Sequence, residues 1–170
     1  MATIERYEKV SAANGSQTTS ATSPATLNGH ADTRDWLQTR PGERTLICIP
    51  ATETNGAYSV VEIVSSPGDS TPMHVHQNED EHFVIVEGTA RIAYGDKIFD
   101  AAAGTSITLT RKIPHAWGNA TDAPLRMVVT CTPGGVEEVL RLMVQGGPDI
   151  DLMALANQYG VQIVGPLLLG

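Results

Sequence analysis

Short runs of alternating apolar and polar residues, separated by turn residues, dominate the chain from residue 43 onward. Successive side chains of a β-strand point to opposite faces, so this period of two predicts strands that are buried on one face. Turn pairs such as Gly95-Asp96 interrupt the runs at short intervals. The runs are RTLICIP, AYSVVEIVS, ARIAYG, KIFDA, SITLT and RMVVTCTP. This pattern predicts an all-β barrel or sandwich.

The period changes after Pro133, where apolar residues recur as they do on one face of a helix. The stripe consists of Val136, Val139, Leu140, Met143 and Val144. This helix is predicted to pack on the outside of the barrel and to end at Gly146. Asp149 can cap a second helix that runs to Tyr159. The last ten residues, VQIVGPLLLG, are apolar and are expected to be buried. They would form either an added edge strand or part of a subunit contact.

The segment before the strands, SAANGSQTTSATSPATLNG, is poor in large apolar residues. Such a segment buries too little apolar surface to offset the entropy that is lost on ordering it. We therefore expect a flexible N-terminal arm over residues 1–35 that acts as a tail or linker rather than as a lid. The predicted domain plan is this arm, a barrel over residues 36–133, and a helical segment over residues 134–170 that packs on the barrel.

Two histidines and a glutamate lie close together in the stretch GDSTPMHVHQNEDEHFVIVEG. In a strand, His74 and His76 project from the same face. The polar run after them can reverse the chain, which would place Glu81 on the returning strand opposite His76. His115, in GTSITLTRKIPHAWGN, is the candidate for a fourth ligand. A single histidine on a strand is more often an ordinary core or surface residue, but the four side chains together favour one metal site.

The predicted ligand set contains three imidazoles and one carboxylate but no thiolate. Such a set suits a divalent transition metal, namely Fe²⁺, Ni²⁺, Mn²⁺, Co²⁺ or Zn²⁺, and the order of affinities does not choose among them. Metal-bound histidines must be neutral, so metal binding is expected to weaken on acidification. Glu81 is also the candidate catalytic residue, because a carboxylate beside the metal can take a proton from an enol or a hydroxyl group.

The spacing of these residues resembles the first sequence motif of the cupin superfamily. The motif matches at every position: Gly68, His74, His76, Glu81 and Gly88. The resemblance implies a jelly-roll barrel, the double-stranded β-helix of the cupins, with the metal inside it. Many cupins are dimers, so a homodimer is expected.

The second cupin motif matches in part. Three residues match it: Gly104, His115 and Asn119. Thr110 and Lys112 stand where the family has a proline and a glycine. Pro114 can supply the lost rigidity, because it fixes its own φ and biases Ile113 towards extended geometry.

Apolar and aromatic residues of the strands are candidates to line the barrel: Tyr58, Val60, Phe83, Ile85, Trp117, Met127 and Val129. Five of these are the predicted substrate contacts: Tyr58, Phe83, Ile85, Trp117 and Met127. Phe83 and Trp117 are favoured, because each lies two residues from a predicted ligand on the same face of its strand.

Three stretches of sequence are similar to those of small single-domain cupins of the quercetinase-like type. They are HVHQNEDEHFVIVEGTARIAYGD, TPGGVEEVLRLM and YGVQIVGP. The resemblance covers the chain from about Leu46 to its end. It implies a dioxygenase that opens the ring of a flavonol or another enolic molecule, with Glu81 accepting the substrate proton and dioxygen as second substrate. Two alternatives stay open: a non-redox cyclase, isomerase or dehydratase for a small carbonyl compound, and a small-ligand-binding cupin without chemistry.

Composition limits the partners of the chain. Its 170 residues carry a formal charge of −8 and a pI near 5.0, which argues against nucleic acid or an anionic membrane and favours a small-molecule substrate. The two cysteines, Cys48 and Cys131, lie in strand-like runs and are expected to be reduced. The first ten residues are charged, and no apolar run approaches eighteen residues, so we expect a cytoplasmic protein.

Several polar residues near the predicted ligands are expected to have ordinary surface roles. Glu79, Asp80 and Glu87 are expected to be solvated charges, and His82 is expected on the outer surface. Asn119 is expected to form a turn or to support a ligand through a hydrogen bond.

Overall fold

The computed structural model describes residues 35–170. The expected flexible arm therefore lies outside the described residues, apart from Asp35. Within the described range the chain forms eleven strands and two α-helices. The strands are β1 Leu37–Arg40, β2 Glu43–Ile49, β3 Ser59–Ser65, β4 Pro72–His76, β5 Asp80–Glu87, β6 Thr89–Tyr94, β7 Lys97–Ala102, β8 Ser106–Leu109, β9 His115–Gly118, β10 Leu125–Thr132 and β11 Val161–Leu167. The helices are α1 Glu137–Gly146 and α2 Leu152–Gln158.

The strands form two antiparallel sheets. One sheet has six strands in the order β1-β2-β3-β10-β5-β8, and the other has five in the order β11-β4-β9-β6-β7. Most spatial neighbours are not neighbours in sequence, because the chain crosses repeatedly from one sheet to the other. This is the jelly-roll arrangement that the alternating pattern and the cupin resemblance predict, so the all-β prediction is confirmed.

The core lies between the two sheets and follows strand alternation. In β10, which lies between β3 and β5, the buried residues alternate with more exposed ones. Met127 pairs with Ile85 and Val129 pairs with Phe83, and all four side chains are buried. These cross-strand apolar pairs hold β5, which carries Glu81, against the centre of its sheet.

Replacing Phe83 with alanine is expected to lower the free energy of unfolding by about 3–5 kcal/mol, because it removes most of a packed aromatic side chain from the core. Phe83 is 1% exposed, whereas its neighbour Val84 is 45% exposed on the opposite face of β5. The matched control Val84→Ala is therefore expected to cost less than about 1 kcal/mol. Urea unfolding measures both values, and equal losses would contradict the facing of β5.

The prediction that Tyr58 and Val60 line the barrel is wrong. Val61 and Ile63 point into the core, so Val60 lies on the other face of β3. Tyr58 precedes the strand and is 41% exposed. A shift of one residue exchanges the two faces of a strand, which accounts for the error.

The chain after residue 133 contributes both helices and a strand. The second helix is capped by Asp151, whose Oδ1 accepts a hydrogen bond from the Ala154 amide at 2.9 Å. Asp149 lies in a short 3-10 turn and is not the cap. The final strand, β11, pairs with β4 at the edge of the five-stranded sheet, as one of the two expectations for this segment predicts. Neither helix among residues 35–170 has the length and apolar character that crossing a membrane requires.

Candidate metal centre

Four side chains converge between the two sheets. His74 and His76 lie on β4, and His115, on β9, pairs directly with His74. Glu81 reaches them from β5 in the opposite sheet. The predicted pairing of Glu81 with His76 in one hairpin is therefore wrong, because the two strands belong to different sheets. One ligand atom from each residue lies within 4.8 Å of the ligand atoms of the other three. The four predicted ligands are therefore brought together in the interior of the barrel.

Hydrogen bonds to the ring nitrogens orient the imidazoles. Nδ1 of His74 lies 2.8 Å from the Pro72 carbonyl oxygen, and Nδ1 of His115 lies 2.9 Å from the Ile113 carbonyl oxygen. A carbonyl oxygen can only accept, so each Nδ1 carries the proton and donates it. Each Nε2 then presents a lone pair to the cluster, which is the tautomer that a metal ligand needs.

The surroundings of the site also determine the protonation states of its side chains. Burial lowers the pKa of His74 to about 4, so its imidazole is neutral at pH 7. Burial would raise the pKa of Glu81, but the imidazoles of His76, His115 and His74 outweigh it and lower that pKa to about 2. Glu81 is therefore an ionised carboxylate, although its side chain is only 12% exposed.

These residues fit a divalent metal ion. Glu81 Oε2 lies 2.9 Å from His115 Nε2 and 3.7 Å from His76 Nε2. Two ligand atoms at right angles, each about 2.1 Å from an ion, would lie about 3 Å apart. A cation would complement the buried carboxylate and the Nε2 lone pairs at once. The nitrogen and oxygen donors suit a divalent transition metal without selecting one.

Glu79 is buried, which corrects the expectation that it is a solvated charge. Its Oε2 lies 3.2 Å from Nδ1 of His76 and accepts a hydrogen bond from it. For His74 and His115, backbone carbonyl oxygens are the corresponding acceptors. Burial would lower the pKa of His76, but the carboxylates of Glu81 and Glu79 raise it. Glu79 therefore orients His76 and increases its basicity as a ligand.

Replacing Glu79 with glutamine is expected to weaken zinc binding by about 10- to 100-fold, because the charged acceptor for His76 is lost while the four ligands remain. Competition with a fluorescent chelator measures the affinity. The control is Glu87→Gln, which changes an exposed carboxylate at the end of β5 and is expected to leave the affinity unchanged. Equal affinities for the two variants would show that Glu79 does not support the site.

The turn that carries His115 into the site is preserved despite its unusual sequence. Lys112 has φ +66°, the left-handed conformation that explains why the family motif has glycine there. The Lys112 amide donates to the carbonyl oxygen of His76 at 2.7 Å. This bond ties the turn to β4, so the lysine keeps the required backbone conformation at some cost in strain.

Asn119, the last residue of the second motif, is fully buried. Its Nδ2 donates to the carbonyl oxygens of Ser65 at 3.0 Å and Ala123 at 2.8 Å, and its Oδ1 accepts from the Thr121 amide at 3.1 Å. It forms the turn after β9, which is one of the two roles predicted for it.

A cavity of about 160 Å³ adjoins the candidate ligands His74, His76 and Glu81. Of the predicted substrate contacts, Trp117 lines this cavity. Phe83, Ile85 and Met127 are buried in the core and do not line it. Tyr58 lies on the surface, so it is not placed to contact a ligand in this cavity.

About two thirds of the residues in the cavity wall were not predicted from the sequence. These residues are Arg40, Glu43, Val61, Ile63, Thr71, Cys131, Val136, Glu137, Val139, Leu140 and Val161. Three of these, Val136, Val139 and Leu140, belong to the apolar stripe that was predicted for the first helix. The stripe packs on the barrel and also covers the cavity. Burial raises the pKa of Cys131 well above its ordinary value, so it stays a protonated thiol and a poor metal ligand.

Fold and site together define the class of this protein: a jelly-roll barrel that carries a three-histidine, one-glutamate candidate metal centre between its sheets. Residues 61–131, which include all four ligands, match the family model described as the cupin domain. The chain therefore contains a cupin domain over these residues.

Comparison with known proteins places this domain in varied contexts. Mannose-1-phosphate guanylyltransferase 2 of Escherichia coli O157:H7 is 28% identical over 71 residues, which is 42% of this chain but only 15% of that protein. KdgF from Halomonas sp. has a TM-score of 0.55 at 16% identity, over 63% of this chain and 94% of that one. The polyketide cyclase RemF from Streptomyces resistomycificus has a TM-score of 0.54 at 19% identity, over 61% and 76%. At these identities the structures share the fold alone.

Proposed function

We propose that this cupin is a metal-dependent enzyme for a small enolic molecule, with His74, His76, Glu81 and His115 as ligands and Glu81 as the proton acceptor. The observation that carries the proposal is an ionised carboxylate that lines the cavity from within the histidine cluster. In its finer form the proposal is a dioxygenase of the quercetinase type, with dioxygen as second substrate.

Glu81 is placed to receive a substrate proton. It borders the cavity, and its Oε2 also lies 2.9 Å from His115 Nε2. An enolic hydroxyl directed into the cluster would lie within hydrogen-bond distance of this carboxylate. A divalent ion held by the four residues would act as a Lewis acid that lowers the pKa of that hydroxyl, and a redox-active ion would also support reaction with dioxygen.

The cavity walls favour a compact and largely apolar substrate. Its lining includes Val61, Ile63 and Val129 from the barrel and Val139 and Leu140 from α1. These side chains exclude water around the carboxylate, which strengthens its electrostatic interactions with a ligand. The volume of about 160 Å³ is below the roughly 300–1,000 Å³ typical of sites that enclose drug-sized ligands. A single enolic ring therefore suits the cavity better than a complete flavonol.

Oxygen uptake tests the dioxygenase proposal. Protein reconstituted anaerobically with Fe²⁺, Ni²⁺, Mn²⁺ or Co²⁺ is mixed with quercetin, or with the single-ring enol kojic acid, in air-saturated buffer. The proposal expects oxygen consumption together with loss of the enol absorbance, in proportion to bound metal. Metal-loaded protein that consumes no oxygen with either quercetin or kojic acid would overturn it.

A non-redox reaction is the second candidate, because proton transfer by Glu81 needs no oxidant. The structural similarity to a polyketide cyclase is compatible with this candidate but does not extend beyond the fold. Zinc-loaded protein that cyclises, isomerises or dehydrates a small carbonyl compound under strict anaerobiosis would support it. Recovery of an unchanged ligand from the metal-loaded protein, without turnover in air or in its absence, would instead support a binding function.

A further inference from the structure

Arg40 and Glu43, at the turn between β1 and β2, form a second polar part of the cavity wall. Arg40 donates from Nε and Nη2 to the two carboxylate oxygens of Asp69, each at 3.0 Å, and from Nη2 to Glu43 Oε2 at 2.6 Å. Thr39 donates its hydroxyl to the other oxygen of Glu43, and Ser65 donates to Asp69 at 2.8 Å. The guanidinium group is therefore held in one orientation by two supported carboxylates.

This group faces the same cavity as Glu81. Arg40 and Glu43 both belong to its lining, among mostly apolar neighbours. The guanidinium carbon lies 5.3 Å from the centre of the Trp117 ring. Trp117 is two residues beyond His115 on the same face of β9, which corresponds to about 6.6 Å along the strand. Arg40 and the candidate ligands His74, His76 and Glu81 thus border one cavity of about 160 Å³, a volume that suits a single ring with one substituent.

One nitrogen of the guanidinium group, Nη1, makes no hydrogen bond to the described part of the chain. Nε and Nη2 donate hydrogen bonds to Asp69 and Glu43, which leaves Nη1 as the nitrogen that a ligand in the cavity could engage. The single positive charge already has two carboxylate partners. A third anionic group would meet their repulsion, so a neutral oxygen is the better acceptor for Nη1.

We propose that Arg40 determines substrate specificity by donating a hydrogen bond from Nη1 to a neutral hydroxyl or carbonyl oxygen on the side of the substrate away from its enolic group. This inference rests on the proposed function, since it assumes that the enolic group binds at the metal centre. It narrows the substrate class to compact enolic rings that carry a second, uncharged oxygen substituent.

Three probes with the same enolic pyranone ring test the proposal. They differ in one substituent: a methyl group in allomaltol, a hydroxymethyl group in kojic acid and a carboxylate in comenic acid. Calorimetric titration of the zinc-loaded protein under nitrogen measures binding without turnover. Kojic acid is expected to bind about tenfold more tightly than allomaltol, because it adds a hydrogen bond to a charged donor. Comenic acid is expected to bind more weakly than kojic acid.

Arg40→Lys tests the residue itself. The lysine keeps the positive charge between Asp69 and Glu43, but its ammonium group has no nitrogen that corresponds to Nη1. The variant is expected to bind kojic acid and allomaltol equally. The control Arg44→Lys alters an exposed arginine that lies over Trp36, and it is expected to keep the tenfold preference.

The outcomes separate this proposal from the proposed function. If zinc-loaded protein binds allomaltol and kojic acid equally, or if Arg40→Lys keeps the preference, the role of Arg40 is overturned while enol binding stands. If comenic acid binds most tightly, the preference for a neutral oxygen is overturned. If none of the probes binds, the proposed function fails, and the specificity proposal fails with it.

Discussion

Replacing His115 with alanine is expected to weaken zinc binding by about 100- to 1,000-fold, because four-ligand zinc sites are worth roughly 10–16 kcal/mol and one of the four ligands is lost. His115 is fully buried, and its Nε2 lies 2.9 Å from Glu81. It is also the ligand that β9 contributes opposite β4. Chelator competition measures the affinity, and circular dichroism verifies that the variant is folded.

His82→Ala is the matched control for this variant. His82 lies on β5 next to Glu81, but its Nδ1 lies 2.9 Å from Thr108 Oγ1 on the outer face of the sheet. Its removal is expected to leave one metal ion per chain with unchanged affinity. A folded His115→Ala protein that binds zinc as tightly as His82→Ala would show that His115 is not a ligand.

Replacing Glu81 with glutamine is expected to lower kcat by about 100- to 10,000-fold, because the amide keeps the shape of the side chain but cannot accept a proton. The measurement uses saturating metal, since the loss of a charged ligand also weakens metal binding. Metal content is determined on the same samples. The turnover assay is oxygen uptake or anaerobic product formation, whichever the wild-type protein shows.

Glu87→Gln again serves as the control, because it removes an exposed carboxylate from the same strand. It is expected to keep wild-type kcat and metal content. A fully metal-loaded Glu81→Gln protein with kcat within twofold of wild type would remove Glu81 from the chemistry. The ligand assignment would then need no change, but the proton acceptor would have to be another group.

The four ligands could be predicted from sequence because their residue types and spacing mark them, even where their contacts are long-range. Strand alternation alone places His74 and His76 on one face. Glu81 meets His76 across the barrel from the opposite sheet, which the local pattern did not predict. His115 depended on the resemblance to the second cupin motif. The structure accommodates Lys112 in the left-handed conformation that the motif assigns to glycine, so the turn survives its departure from the pattern.

The facing of β3 could not be predicted in the same way. Its sequence, SVVEIVS, has apolar residues at both odd and even positions, so the local pattern does not choose between the two faces. Pairing does choose: Val61 and Ile63 lie opposite Val129 and Met127 of β10, whose buried face is unambiguous. The outward facing of Val60 therefore follows from pairing between residues far apart in sequence.

The remaining errors concern polar groups whose burial strand alternation does not mark. Glu79 has the composition of a solvated loop charge, and its role appears only when Nδ1 of His76 lies beside it. Arg40 lies on a short strand that the pattern did not reveal, and it reaches the cavity through contacts with Asp69 and Trp117. Glu79 lies in a loop, where no strand period applies, and the contacts of Arg40 are created by the folding together of segments that are far apart in sequence.

The central claim is that three imidazoles and one carboxylate hold a single metal ion inside the barrel. X-ray absorption spectroscopy on freshly purified, anaerobically handled protein, combined with elemental analysis, tests it most directly. We predict about one divalent metal ion per chain, with a first shell of nitrogen and oxygen that includes the scattering pattern of imidazole rings. A protein that retains no metal after incubation with Fe²⁺, Ni²⁺, Mn²⁺, Co²⁺ and Zn²⁺ in turn, or a first shell that contains sulfur, would contradict the claim.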